Sequence, residues 1–238
     1  RPKGLKEARP RSFNASVDWY HYFGDFQANL LVEGFYTKLS DPFVLTPPVK
    51  DPDGSAYLIQ TRINGSGAKV YGGTLEGKVA YKDKGQLQAG LTLQRSIYDS
   101  PEEWSADEEH LSEKERYSDK ILRTPDVYGY FTATYMPVKA FSIALNGNYT
   151  GRMYVPLLLS EVNGEADVLV KSPDFFELGT KIAYDFDIQG FCLQLNAGEQ
   201  NIFNSYQKDF DKGASRDSGY IYGPGAPRSY FAGVKLSF

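Results

Sequence analysis

Apolar and polar side chains alternate with a period of two through almost the whole chain, and that period commits it to strands. In Arg228 to Phe238, the residues Tyr230, Ala232, Val234, Leu236 and Phe238 share one face, and Ser229, Gly233, Lys235 and Ser237 share the other. Phe231 breaks the pattern. The same reading gives Phe191, Leu193, Leu195 and Ala197 opposite Cys192, Gln194, Asn196 and Gly198. It gives Phe176, Leu178, Ile182, Tyr184 and Phe186 opposite Glu177, Lys181 and Asp185. Further strands are predicted around Phe141–Arg152, Leu87–Gln94, Tyr71–Tyr81, Gln27–Tyr36 and Phe13–Trp19. Val127 to Met136 is strand-like, but its facing is ambiguous.

About nine strands result, each near the roughly 9–11 residues that cross a bilayer at a tilt. The mean hydropathy of −0.44 does not oppose this. A barrel strand alternates lipid-facing and lumen-facing residues, so its average is middling. The 18 Tyr and 15 Phe suit strands and interfacial girdles, with Trp19, Tyr81, Phe141, Phe186 and Phe191 near one end. No run approaches the ~20 apolar residues of a membrane-spanning helix. A net charge of −4 argues against a nucleic-acid partner.

The connections alternate short and long. Short turns are expected at Phe23-Gly24-Asp25, Lys82–Gly85, Pro137-Val138-Lys139 and Asp187-Ile188-Gln189. Long loops are expected at about Thr46–Ala56, Asp99–Asp126, Met153–Asp174 and Asn204–Pro227. Such alternation marks an outer-membrane barrel, with turns inside and loops outside. Following it to both ends gives an odd strand count, whereas single-chain bacterial barrels use even numbers. The expectation is therefore an all-β, antiparallel up-and-down portion of a larger transmembrane barrel. The basic, Pro-containing start, Arg1 to Arg11, shows no apolar leader and reads as something other than the natural N-terminus.

Three stretches resemble the TonB-dependent receptor family of outer-membrane proteins. Asn64-Gly-Ser-Gly-Ala-Lys-Val-Tyr-Gly-Gly-Thr-Leu-Glu-Gly77 is similar to the family's mid-barrel segment. Gln200-Asn-Ile-Phe-Asn-Ser-Tyr206, after Leu193-Gln-Leu-Asn-Ala-Gly198, resembles its penultimate-strand signature, with Gly198-Glu199-Gln200 a departure that implies a bulge or a longer strand. Gly225-Ala-Pro-Arg-Ser-Tyr-Phe-Ala-Gly-Val-Lys-Leu-Ser-Phe238 resembles its C-terminus. The resemblance implies residues 1–238 as the C-terminal part of a barrel of about 22 strands, with the plug and first strands elsewhere. It implies energy-coupled uptake of a scarce nutrient: siderophore-bound iron, haem, cobalamin or a glycan. The implied partners are outer-membrane lipid, the remaining strands and plug, the TonB complex, the barrel-assembly machinery and a surface lipoprotein. Phe238 would be the barrel-assembly signal. The rival reading is a complete small barrel serving as an anchor or adhesin.

Catalysis finds little support. His21 and His110 are far apart, Cys192 has no partner cysteine, and no zinc spacing, P-loop or nucleophile elbow occurs. No catalytic residue, metal ligand or cofactor is assigned, and Cys192 is expected to be an inert thiol on the lumen side. The acidic run Pro101–Lys120 reads as a solvated loop, with a short helix or a calcium site as alternatives. Asp51-Pro-Asp53-Gly54 reads as a turn. Trp104, Arg116, Tyr117, Arg152 and Tyr154 lie in or beside the long loops and are the candidate substrate contacts.

Overall fold

The computed structural model describes residues 4–53, 58–188 and 190–237. Along the chain, β1 (Arg9–Phe23) and β2 (Phe26–Ser40) are followed by the short β3 (Phe43–Leu45), β4 (Val49–Lys50), β5 (Leu58–Ile59) and β6 (Arg62–Asn64). Next come β7 (Ala68–Tyr81), β8 (Gly85–Glu103), β9 (Tyr117–Lys120), β10 (Val127–Val138) and β11 (Phe141–Thr150). The last elements are β12 (Tyr154–Leu157), α1 (Ser160–Asn163), β13 (Val168–Lys171), β14 (Phe175–Ile188), β15 (Phe191–Gln200) and β16 (Ser229–Ser237). The long strands form one antiparallel meander, in the order β1-β2-β7-β8-β10-β11-β14-β15-β16, with β9 paired to the end of β8. Each long strand pairs only with its sequence neighbours in that order, so β1 and β16 remain edges among the described residues.

The turns at one end are tight. Gly24 and Asp25 join β1 to β2, and Gly24 takes a left-handed φ of 59°, which costs glycine nothing. At the other end each connection is long and structured. The first carries the pairs β3–β6 and β4–β5, and the third carries the β12–β13 hairpin and α1. The turn at Asp51 is present, with the Asp53 N–H bonded to Asp51 Oδ1 at 3.1 Å. Gly54 lies outside the described residues.

Register fixes which face each residue occupies. Phe13 opposes Tyr36, Tyr36 opposes Tyr71, and Val17 opposes Val32, so large apolar groups align across strands. This apolar face is open: Phe13 and Val17 are 70% exposed and Val234 is 68% exposed. A sheet in water rarely leaves so wide an apolar surface uncovered. The opposite face carries Asn14, Asp18, Asn29, Glu76, Gln88, Asn146, Lys181 and Lys235, and several polar pairs on it bond across strands, Asn29 donating to Asp18 among them. Gln88 and Tyr130 both donate to Glu76, at 2.9 and 2.6 Å, and Gln194 donates to Asp185 at 2.8 Å. The small buried apolar cluster sits in the long loops, where Met153, Val155 and Tyr220 pack with Leu157, Val170 and Tyr222.

Several details differ from the sequence reading. β8 continues to Glu103, past the expected loop start at Asp99. The first long loop runs between β2 and β7, so it is longer than Thr46–Ala56. The acidic run begins in β8 and ends in β9 with turns at 104–116 between them, and the one helix among the described residues lies at Ser160–Asn163. The Gly198-Glu199-Gln200 stretch is a longer strand, paired without a break to Ser229. The facing of β10 is settled by its register: Phe131, Ala133 and Tyr135 lie on the apolar face, and Tyr130 turns to the polar one.

Near the short turns the apolar face gathers its rings. Trp19 stacks on His21 at 5.2 Å, His21 meets Phe23 at 4.2 Å, Phe26 meets Tyr81 at 4.6 Å, and Tyr184 meets Phe186 at 4.7 Å. Tyr36 with Tyr71 and Phe131 with Phe176 form a second band toward the long loops. Ten residues separate Phe26 from Tyr36, about 33 Å along the strand and about 25 Å of depth at a tilt of roughly 40°.

Candidate functional site

The long connections meet one another beyond the sheet, and two buried carboxylates organise them. Asp107, after β8, accepts the backbone N–H of Asp167 at 3.0 Å, and its Oδ1 lies 2.9 Å from His110 Nδ1. Asp167, before β13, accepts the Ser105 hydroxyl at 2.6 Å and the backbone N–H groups of Leu159 and Ser160 at 2.7 and 2.8 Å. Burial alone would raise the Asp107 carboxyl, but the N–H groups of Asp167 and His110, with the His110 ring, outweigh it and hold the group below its ordinary value. The last loop is fastened by Gln207, fully buried, whose amide donates to Tyr220 O at 3.1 Å while its Oε1 accepts the Tyr222 N–H at 2.9 Å. Burial first, and then Asp209 beside it, push the Tyr222 hydroxyl strongly upward. Arg123 reaches from the second loop to Gly219 O at 2.6 Å.

The residues chosen from sequence as substrate contacts separate into two kinds. Trp104 is buried, and its indole N–H donates to Glu115 O at 2.9 Å. Arg116 is clamped by Glu103 at 2.6 Å and Glu108 at 3.3 Å. Both side chains hold the second loop in shape. Tyr117 and Tyr154 are brought together in a cavity of about 730 Å3 with Lys114, Lys120 and Leu169, and the Lys120 ammonium lies 4.4 Å from the Tyr154 ring centre. Arg152 is exposed beside Asp174 at 3.6 Å, and lines a neighbouring hollow with Tyr154. Trp104 also borders a cavity of about 500 Å3 between the first and second loops, lined by Phe43, Leu45, Tyr98, Glu102, Leu122 and Arg123. An apolar hollow with a few convergent polar groups is the ordinary form of a ligand site. Tyr98, Lys120 and Arg123 were not singled out from sequence. The strand read from sequence at Leu87–Gln94 stops short of Tyr98, which lies within the longer β8.

Cys192 sits on the polar face near the short-turn end as a free thiol. Phe238 lies outside the described residues.

Solved structures with this architecture align with 98% of the chain. The ferric-catecholate import receptor Fiu of Escherichia coli K12 aligns with a TM-score of 0.64 at 17% identity, over 28% of that receptor. The ferripyoverdine receptor of the outer membrane of Pseudomonas aeruginosa, solved with ferripyoverdine bound, gives 0.63 at 13% identity over 28% of its chain. The copper transporter OprC gives 0.62 at 16% identity over 32% of its chain. The fold is that of a TonB-dependent receptor barrel wall. At these identities the likeness carries the fold alone. No family model and no curated protein matches the sequence. The chain spans less than a third of each of these receptors, so the wall it forms is partial, and its edges at β1 and β16 are where a complete receptor barrel would continue.

Proposed function

We propose that the chain is the C-terminal part of the barrel of an outer-membrane TonB-dependent receptor, a non-enzymatic importer of a scarce nutrient. The observation that carries this reading is the nine-strand meander whose apolar face is open between two aromatic bands. Lipid is the medium in which such a face is stable, and it accepts no unpaired strand edge. The edges at β1 and β16 therefore require further strands, which argues against a complete small barrel acting as an anchor or adhesin. Cargo would be captured by the long loops, with the Tyr98–Leu122–Arg123 and Lys114–Tyr117–Tyr154 cavities as contact surfaces. Iron chelates and copper are the cargoes named for the structural neighbours, and haem, cobalamin and glycans remain in the same class of scarce nutrients. TonB coupling and the plug would belong to the rest of the receptor. Phe238, closing the last strand, would be read by the barrel-assembly machinery, and a surface lipoprotein would contact the loops.

The test begins with the intact mass of the native polypeptide in outer-membrane fractions. A polypeptide several times 26.6 kDa, or a tightly held partner chain of that size, supports the reading. Its gene is then deleted, and growth is compared on iron, haem, cobalamin or glycan supplied at limiting concentration. A TonB-dependent growth defect on one nutrient is expected. A native membrane protein of 26.6 kDa alone would overturn the importer reading.

A further inference from the structure

At the long-loop end of the apolar face, a hollow of about 400 Å3 opens between the end of β8 and the start of the β12–β13 hairpin. Its floor is Leu93 and Val127, ladder partners on the apolar face, and Leu93 is 54% exposed. Arg95 rises from that floor on the same face, directly opposite Tyr71 of the aromatic band. Lys120, Arg152 and Lys171 complete the lining, against the single carboxylate Asp126. The Tyr154 ring holds both ammonium groups, with Lys120 at 4.4 Å and Lys171 at 5.9 Å from its centre. None of Arg95, Lys120 and Lys171 makes a salt bridge among the described residues.

A contrast lies nearby on the same face. Lys38 and Lys69 are neutralised by Asp99, at 3.7 and 2.6 Å. Arg95, Lys120 and Lys171 have no such carboxylate among the described residues, and Arg152 has only the exposed Asp174, at 3.6 Å.

We propose that this hollow binds the phosphate group of an outer-leaflet lipid, with Arg95, Lys120, Arg152 and Lys171 around the phosphate and the acyl chains along Leu93 and Val127. Guanidinium groups match phosphate geometry through paired N–H donors, and ammonium groups add point charge. The position selects a lipid over free phosphate. The hollow stands just beyond the tyrosine band, at the depth where headgroups begin, and its floor runs unbroken into the apolar band. This inference rests on the reading of the apolar face as lipid-facing.

The test uses the intact receptor that contains this chain, extracted in mild detergent and examined by native mass spectrometry with diphosphorylated lipid A as probe. The natural protein is expected to retain one lipid A. The R95Q/K120Q/R152Q variant is expected to bind it at least tenfold more weakly, and K78Q, on the polar face, to bind it normally. Dephosphorylated lipid A should bind tenfold more weakly to the natural protein, and inorganic phosphate should fail to displace the lipid at equal concentration. Equal binding by the triple variant overturns the proposal, and so does displacement by inorganic phosphate. A heat-dependent gel shift establishes that the triple variant is folded. If it is not, R152Q alone, altered at an exposed side chain, serves as the reporter, and unchanged affinity there counts against the site. A receptor that fails to fractionate with outer membranes refutes the barrel reading itself, whereas a membrane-borne receptor with unaltered lipid binding refutes only this site.

Discussion

The Asp107 carboxylate accepts the backbone N–H of Asp167 at 3.0 Å, across sixty residues of sequence, and so ties the loop after β8 to the loop after β11. Leaving that buried N–H unpaired costs about 1–3 kcal/mol. Asp107→Ala should therefore raise hydrogen exchange in residues 104–126 and 151–174 while the long strands keep their protection. The carboxyl is held below its ordinary value in the folded protein, so its contribution is complete above the unfolded carboxylate pKa of about 4. It is lost as pH falls through the lower, folded value. Protection factors in both loops, taken relative to the intrinsic exchange rate at each pH, should thus be flat between pH 7 and 5 and fall only under stronger acid. Loosening already at pH 6 would contradict this.

Phe231 lies over Gly198, and a Cβ built on that glycine would collide with the Phe231 ring and the Thr180 carbonyl. Gly198→Ala should cost about 1–3 kcal/mol through overpacking. Gly198→Ala with Phe231→Ala should recover part of that loss, by relieving the ring contact but not the backbone one. Urea midpoints for refolding into detergent micelles would show it. Additive losses in the double variant would mean that the ring does not rest on Gly198.

The strands were legible because a period of two has one structural reading, and because a buried or lipid-covered face makes register strict. Where aromatics stand on both faces, the signal fails. Tyr128, Tyr130, Phe131 and Tyr135 left β10 undecided, and it takes the register with β8 and β11, together with the contact of Tyr130 with Glu76 and Gln88, to show which way it turns. Phe231 was visible as an exception, but its reason was Gly198 on another strand. The loops were least legible. Trp104 and Arg116 were chosen by residue type, yet their partners are Glu115, Glu103 and Glu108 of the same loop. Nothing local in the sequence marks Asp167 as the partner of Asp107.

That division among the loop candidates is testable. Trp104→Ala removes a buried ring and its hydrogen bond, a loss of about 3 kcal/mol, and Arg116→Ala leaves Glu103 without its 2.6 Å partner. Both should make the second loop sensitive to protease. Tyr117→Ala and Tyr154→Ala should leave proteolysis nearly unchanged and weaken uptake of the cargo. Proteolysis patterns and uptake rates measured on the same four variants separate the two roles. Loop nicking in Tyr117→Ala equal to that in Trp104→Ala would erase the distinction.

Leu195 and Gln194 are adjacent on β15 but face opposite ways: Leu195 opposes Val234 and Tyr184 on the apolar face, whereas Gln194 bonds to Asp185 on the polar one. If the apolar face meets lipid, a cation at mid-strand there costs about 2–4 kcal/mol, while the same change on the lumen side is far milder. Leu195→Arg should therefore lower the yield of heat-modifiable, membrane-inserted receptor. Gln194→Arg should insert normally, because the new guanidinium gains Asp185 as a partner. The measurement is the folded fraction in isolated outer membranes, for each variant in the intact receptor. Equal insertion of both variants would mean that neither face meets hydrocarbon, and the sheet would then have to be covered by protein.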